Sequence, residues 1–288
     1  MAVSAPAKVN LFLRILAREE TGFHALETLF QAVSLADAVT VEHGEPGIAL
    51  TVAGGVDTGP PERNLARRAA LAFYVRTELT PAVAIRLEKR IPSAAGLGGG
   101  SSDAAATLRA LNALHGHLLS REALLQLAIG LGSDVPFFLC GSPLALGWGR
   151  GERLLALPPL PARPVLIAHP GVAMPTADAF ARLAERRGAY APAGASLPLD
   201  ALASWDAVAA LAENDFQPVV GERIPFIGLA LSALRQGGAR VALMAGSGSS
   251  VFGVFDDADA RDQALERMRG LRMRAWPAET LETLSPGG

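Results

Sequence analysis

Apolar and polar positions alternate along residues 9–16 closely enough to predict a strand, and the polar stretch at 21–24 predicts a turn after it. Residues 30–41 continue the two-residue period and are expected as further strand, interrupted near the charged Asp37. Breakers cluster at 45–47 and 54–61. Residues 64–77 change period: Leu65, Ala69, Leu71 and Phe73 fall on helical spacing. Val83, Ile85 and Leu87 then alternate cleanly and predict a strand that runs into a stretch of small residues. Ser102 and Asp103 are expected to open a helix, since both side chains can accept from free backbone N–H groups. That helix is expected over 104–114, closed by Gly116, and a second one follows, capped by Ser120, running through Ala128 and closed by Gly130. Residues 165–169, 241–244 and 251–255 read as short buried strands, with a helix-rich region after the first and an amphipathic helix over 259–271 at the end. Residues 188–194 read as a loop of no evident chemistry.

This order predicts an α+β fold. The proline-rich stretch 158–164 is expected to join two domains, 1–157 and 158–288, for which 288 residues are ample. Half of the residues are hydrophobic, which excludes wholesale disorder. A net charge of -2 without a basic block argues against nucleic acid as a partner. The single cysteine, Cys140, excludes an internal disulfide framework and a cysteine-based zinc cluster, and it is expected to be buried. The first residues have no basic end followed by an apolar run, and later apolar stretches are interrupted, so neither signal peptide nor membrane span is expected. The expected setting is the cytoplasm. The basic residues are nearly all arginine; Lys8 and Lys89 are the only lysines. A compact ammonium is not interchangeable with a planar guanidinium, so both are candidates for a specific task.

The firmest chemical signal is the run Pro92, Ser93, Ala94, Ala95, Gly96, Leu97, Gly98, Gly99, Gly100, Ser101, Ser102 between a predicted strand and a predicted helix. Glycine lets the backbone approach a ligand, successive N–H groups can converge on an anion, and the helix start adds partial positive charge. A plain turn needs only one or two glycines. The run lacks the Gly-Lys pair of a P-loop, and serine stands where the dinucleotide fingerprint needs its third glycine.

The run resembles the phosphate-binding signature of the GHMP kinases, named for galactose, homoserine, mevalonate and phosphomevalonate. Residues 5–13 are similar to that family's first motif, 130–138 to the Gly-x-Asp-Val-Pro stretch of one branch, and 245–250 to its third motif, a glycine turn bracing the phosphates. The resemblance implies a two-domain fold with a left-handed βαβ unit in the first domain, an α/β sandwich in the second, and a cleft between them. It implies ATP and Mg²⁺ as cofactors, with Ser101 and Ser102 at the phosphates or the metal. The branch it points to acts on a small molecule, a cytidine-diphosphate-linked methylerythritol. It implies Lys8 and Asp134 as the catalytic pair, Asn10 near the acceptor, and Phe23, His24, Thr176 and Phe180 around the cytidine. Phe23 stands where that branch typically has tyrosine, which keeps stacking and loses a phenol hydrogen bond.

Each residue also has a plain reading. Asp134 before a Val-Pro pair is a good helix cap. Phe23 and Phe180 are ordinary core residues, and His24 a turn residue. Asn64 reads as a cap or as a neighbour of adenine, and Lys89 as a nucleotide contact or a solvated strand end. Two rival functions remain: a homoserine- or mevalonate-type kinase of the same family, or a member that senses ligands without turnover. The second is expected to lack the base or its lysine, and both Lys8 and Asp134 are present.

Overall fold

The computed structural model describes residues 1–18, 24–187, 197 and 199–284. Its first sheet is built on a long strand. β1 (Ala2–Arg18) pairs antiparallel with β2 (His24–His43) along most of its length. The other edge of β2 takes β4 (Ala82–Glu88) at one end and β5 (Leu144–Gly149) at the other. β3 (Gly47–Ala53) lies parallel to β4, with α1 (Leu65–Thr77) between them in sequence, which makes the βαβ unit. β6 (Arg153–Ala156) closes the sheet beyond β5. α2 (Gly99–Leu114) and α3 (Arg121–Leu131) pack with α1, and a core of Phe30, Phe73, Ile85, Leu108, Leu111 and Phe137 fills the space between helices and sheet.

β2 continues through Asp37, but its pairing with β1 shifts register just before it, between Val33 and Ala36, so the irregularity expected near Asp37 is present as a bulge rather than a break. Asp37 lies within the strand, 2% exposed, and its carboxylate accepts from the backbone N–H groups of Arg90 and Ile91 and from Lys89. A charge so satisfied need not face water. The helix start is displaced too. α2 begins at Gly99 with Gly98 as its cap, so Ser102 and Asp103 lie inside it and are buried. α3 runs through Gly130 to Leu131 and closes on Gly132, whose N–H bonds to the Ala128 carbonyl. Ser120 caps it as expected, accepting from the Ala123 N–H.

The second sheet has the order β10 (Arg274–Glu279), β7 (Pro164–His169), β9 (Val251–Val254), β8 (Val241–Met244), antiparallel throughout. α4 (Thr176–Arg187), α5 (Trp205–Leu211), α6 (Gln217–Arg223), α7 (Phe226–Gln236) and α8 (Ala258–Gly270) complete this half. One apolar cluster joins the two sheets: Val9, Leu11 and Leu29 pack with Ile167, Leu243 and Phe252. This shared core sets β1 and the β8–β9 turn against each other. Among the described residues, no helix is long and apolar enough to cross a membrane.

Candidate active site

A cleft of about 1140 Å³ opens where the two halves meet. One wall is the glycine loop, which leaves β4, passes residues 92–98 and enters α2. Pro92 through Ser101 all line the cleft; Ser102 does not, being fully buried. The first turn of any helix leaves N–H groups without intrahelical partners, and that of α2 faces the cleft. Gly98 takes a left-handed conformation at the cap, and a Cβ there would press on the Lys8 side chain. Ser93 is held by a hydrogen bond to the Asp57 carbonyl.

The opposite brace is the β8–β9 turn, residues 245–250. It touches the glycine loop backbone to backbone: a Cβ on Gly96 would overlap the Ala245 carbonyl oxygen, so only glycine fits. The Ser250 N–H bonds to the Ala95 carbonyl at 3.2 Å. Three side chains of this turn reach the stretch from the end of β7 to the start of α4. Ser250 meets His169, Ser249 bonds to the Val172 carbonyl, and the Ser247 hydroxyl lies 3.0 Å from that of Thr176.

Lys8 comes from β1, whose N–H at this residue bonds to the Leu97 carbonyl of the loop at 2.9 Å. Its ammonium donates to Asn10 Oδ1 at 2.8 Å, sits 5.5 Å from the centre of the Phe30 ring, and pairs with Asp134 Oδ2 at 3.4 Å. Asn10 in turn donates to Thr28, and Thr28 to the Phe12 carbonyl, so the ammonium has a fixed address. The Lys8 side chain is only 4% exposed, while that of Asp134 is 33% exposed and reaches the open cleft. Asp134 is not a helix cap. The short 3₁₀ turn after it, Pro136–Leu139, has Val135 at its cap and no side-chain capping bond.

Lys89 lines the cleft beside the glycine loop and is not a solvated strand end. It is buried between two carboxylates, bonding Asp37 and, at 2.6 Å, Asp103. Burial pushes the Asp103 carboxyl up to about 7; Lys89 pulls it down and Asp37 pushes it up. The triad ties the end of β4 to β2 and to the first turns of α2, on both flanks of the glycine loop. Asn64 caps α1 by accepting from the Ala66 N–H, and it also lines the cleft. Cys140 is buried, as expected, and burial raises its thiol pKa.

At the other end of the cleft, His24 stacks on Phe180 with ring centres 4.6 Å apart, and Phe180 meets Phe216 edge-on at 4.8 Å. Thr176 starts the helix that carries Phe180. Phe23 lies outside the described residues. Lys8, Asn10, His24, Asp134, Thr176 and Phe180 therefore share one cleft with the glycine loop. Sequence reasoning missed Phe216, Thr28 and the acidic partners of Lys89. The only available signal for Phe216 was the polar-aromatic run Asn214, Asp215, Phe216 inside a helix-rich region.

The GHMP kinases N terminal domain matches residues 64–142, and the GHMP kinases C terminal domain matches residues 199–271. A 4-diphosphocytidyl-2-C-methyl-D-erythritol kinase from a Geobacter species is 38% identical over 282 residues, covering 97% of this chain and 98% of its own. A crystal structure of 4-(cytidine 5'-diphospho)-2C-methyl-D-erythritol kinase superposes with a TM-score of 0.81 at 38% identity, covering 97% of this chain and 99% of the other. A homoserine kinase from Cytophaga hutchinsonii, at 20% identity, shares the fold with a TM-score of 0.76, covering 99% of this chain and 96% of its own. With both domains matched and near-full-length identity of this order, the chain belongs to the GHMP kinases, in the 4-diphosphocytidyl-2-C-methyl-D-erythritol kinase family.

Proposed function

We propose that the chain transfers the γ-phosphoryl group of ATP to the 2-hydroxyl of 4-diphosphocytidyl-2-C-methyl-D-erythritol, in non-mevalonate isoprenoid precursor synthesis. The observation that carries this reading is the Lys8–Asp134 pair, 3.4 Å apart, in the same cleft as the glycine loop. In this reading residues 92–101 hold the nucleotide, with Gly98 to Ser101 presenting the start of α2 to its phosphates; Ser102, buried behind them, does not take part. Asp134, the more exposed partner, accepts the proton of the attacking hydroxyl. Lys8 orients that carboxylate and stabilises charge on the group in transfer. Asn10 fixes the ammonium, and His24, Thr176 and Phe180 form the wall for the cytidine.

Mg²⁺ is implied by the reaction class. Among the described residues, no group of three or more metal-ligating side chains exists to hold it by itself. Magnesium is commonly held by substrate phosphates with few protein ligands, so its absence of a cage is no misfit. Ser101 lines the cleft at the start of α2 and would supply a hydroxyl oxygen beside the nucleotide's own. Bound there, the ion would neutralise charge on the phosphates.

Substitution Asp134→Asn tests the assignment. It keeps the size of the side chain and removes the proton acceptor. kcat is expected to fall about 100-fold or more while ADP affinity, measured by calorimetry, stays within about twofold. Near-normal turnover would remove Asp134 from the reaction.

A further inference from the structure

Four consecutive residues leading into α6 tie together elements that border the cleft: β1, α4, and β8 with the turn after it. Asn214 is 6% exposed, and its amide group donates to the Met244 carbonyl at 2.7 Å and to the Gly246 carbonyl at 2.8 Å. Its Oδ1 accepts from the Phe216 N–H at 2.9 Å, so both N–H groups and the oxygen of this buried amide are engaged. Asp215 accepts from the Ile15 N–H and pairs with Arg187 at 2.7 Å. Phe216 presents its ring edge-on to Phe180. Gln217 Oε1 accepts from the Met244 N–H at 3.0 Å. The backbone joins in: Leu13 N–H bonds to the Glu213 carbonyl, and Asp215 N–H to the Leu13 carbonyl, which ties the run to β1 beyond Lys8 and Asn10.

The turn that Asn214 grips needs an external hold. Gly246 and Gly248 both have positive φ, a conformation that glycine enters at no steric cost and leaves as easily. Gly246 also lies at the junction of the site. A Cβ there would meet the Gly96 carbonyl oxygen at 2.8 Å and the Lys8 ammonium at 3.3 Å. Moving the Gly246 carbonyl therefore moves the brace of the phosphate loop and the surroundings of Lys8 together.

We propose that Asn214 is a positioning residue for phosphoryl transfer: its amide pins the Gly246 turn against the glycine loop, and through Phe216 the same run sets the Phe180 wall of the acceptor site. The proposal rests on the functional reading above for the identity of the acceptor, but its phosphate half does not. Asn214 touches neither substrate in this scheme and acts by holding groups that do.

The test is steady-state turnover with ATP and the cytidyl alcohol varied separately, for the parent, Asn214→Ala and Phe216→Leu, with ADP affinity by calorimetry and thermal unfolding on the same samples. Asn214→Ala is expected to lower kcat about tenfold or more and weaken ADP binding about fivefold, the scale of one or two lost hydrogen bonds. Phe216→Leu is expected to raise KM for the cytidyl alcohol about three- to tenfold, leaving kcat and KM for ATP within about twofold, as loss of one aromatic pair predicts. This split is what a residue serving stability alone would not produce. If Asn214→Ala fails to fold, Asn214→Ser, which keeps a short donor, carries the same expectation at smaller size. A folded Asn214 variant with unchanged kcat and unchanged ADP affinity overturns the proposal. A parent without turnover of the cytidyl alcohol overturns the functional reading instead, and ADP affinity then still decides the role of Asn214.

Discussion

The two lysines show how one residue type serves opposite ends. Lys8 faces a cleft through a partner that is one-third exposed, while Lys89 is closed in by two buried carboxylates. Nothing in the local sequence separates them, because each is set by residues distant along the chain: Asp134 for one, Asp37 and Asp103 for the other. Motif resemblance pointed to Lys8 and Asp134 and was silent on the Lys89 triad. The aromatic wall was only half legible for the same reason. Phe180 stands out in the sequence, but its neighbours His24 and Phe216 come from β2 and the start of α6. Substituting Phe180→Ala is expected to raise KM for the cytidyl alcohol at least about fivefold, as loss of a stacked base contact predicts, with KM for ATP within about twofold. A change confined to ATP would place Phe180 outside the acceptor wall.

At the scale of elements, hydrophobic periodicity located most strands and helices and misplaced the ends that matter most for the site. Ser102 and Asp103 are good caps by side-chain chemistry, yet α2 starts at Gly99 because the glycine conformation at Gly98 ends the loop earlier. The displaced Asp103 then faces Lys89 and Asp37, and this has a measurable consequence. An aspartate in the unfolded chain titrates near about 3.9. In the folded chain Asp103 is pushed up to about 7, chiefly by burial. Between these values the folded state holds the extra proton, so this group's contribution to stability declines as pH rises through the window and levels off above it. Asp103→Asn removes that dependence. The unfolding midpoint of the variant relative to the parent is expected to rise between pH 5 and pH 8. Parallel profiles across that range would show that Asp103 stays ionised throughout.

At the scale of the molecule, the α+β class and the family followed from the sequence, because the glycine run, the β8–β9 turn and the Lys8 motif are local patterns. The way the halves meet did not. It depends on a shared apolar cluster drawn from both sheets and on the run Asn214–Gln217, whose partners lie in β1, α4 and the β8–β9 turn. A phosphate loop alone would serve any member of the family, and homoserine kinase shares this fold. In the proposed reading, His24, Thr176 and Phe180 form the acceptor end of the cleft that also holds Lys8 and Asp134. The most direct test is ADP release by the purified protein with ATP, Mg²⁺ and one acceptor at a time. Turnover with 4-diphosphocytidyl-2-C-methyl-D-erythritol, and none above background with homoserine or mevalonate, is the predicted result; activity on either of those two and none on the cytidyl alcohol would contradict it.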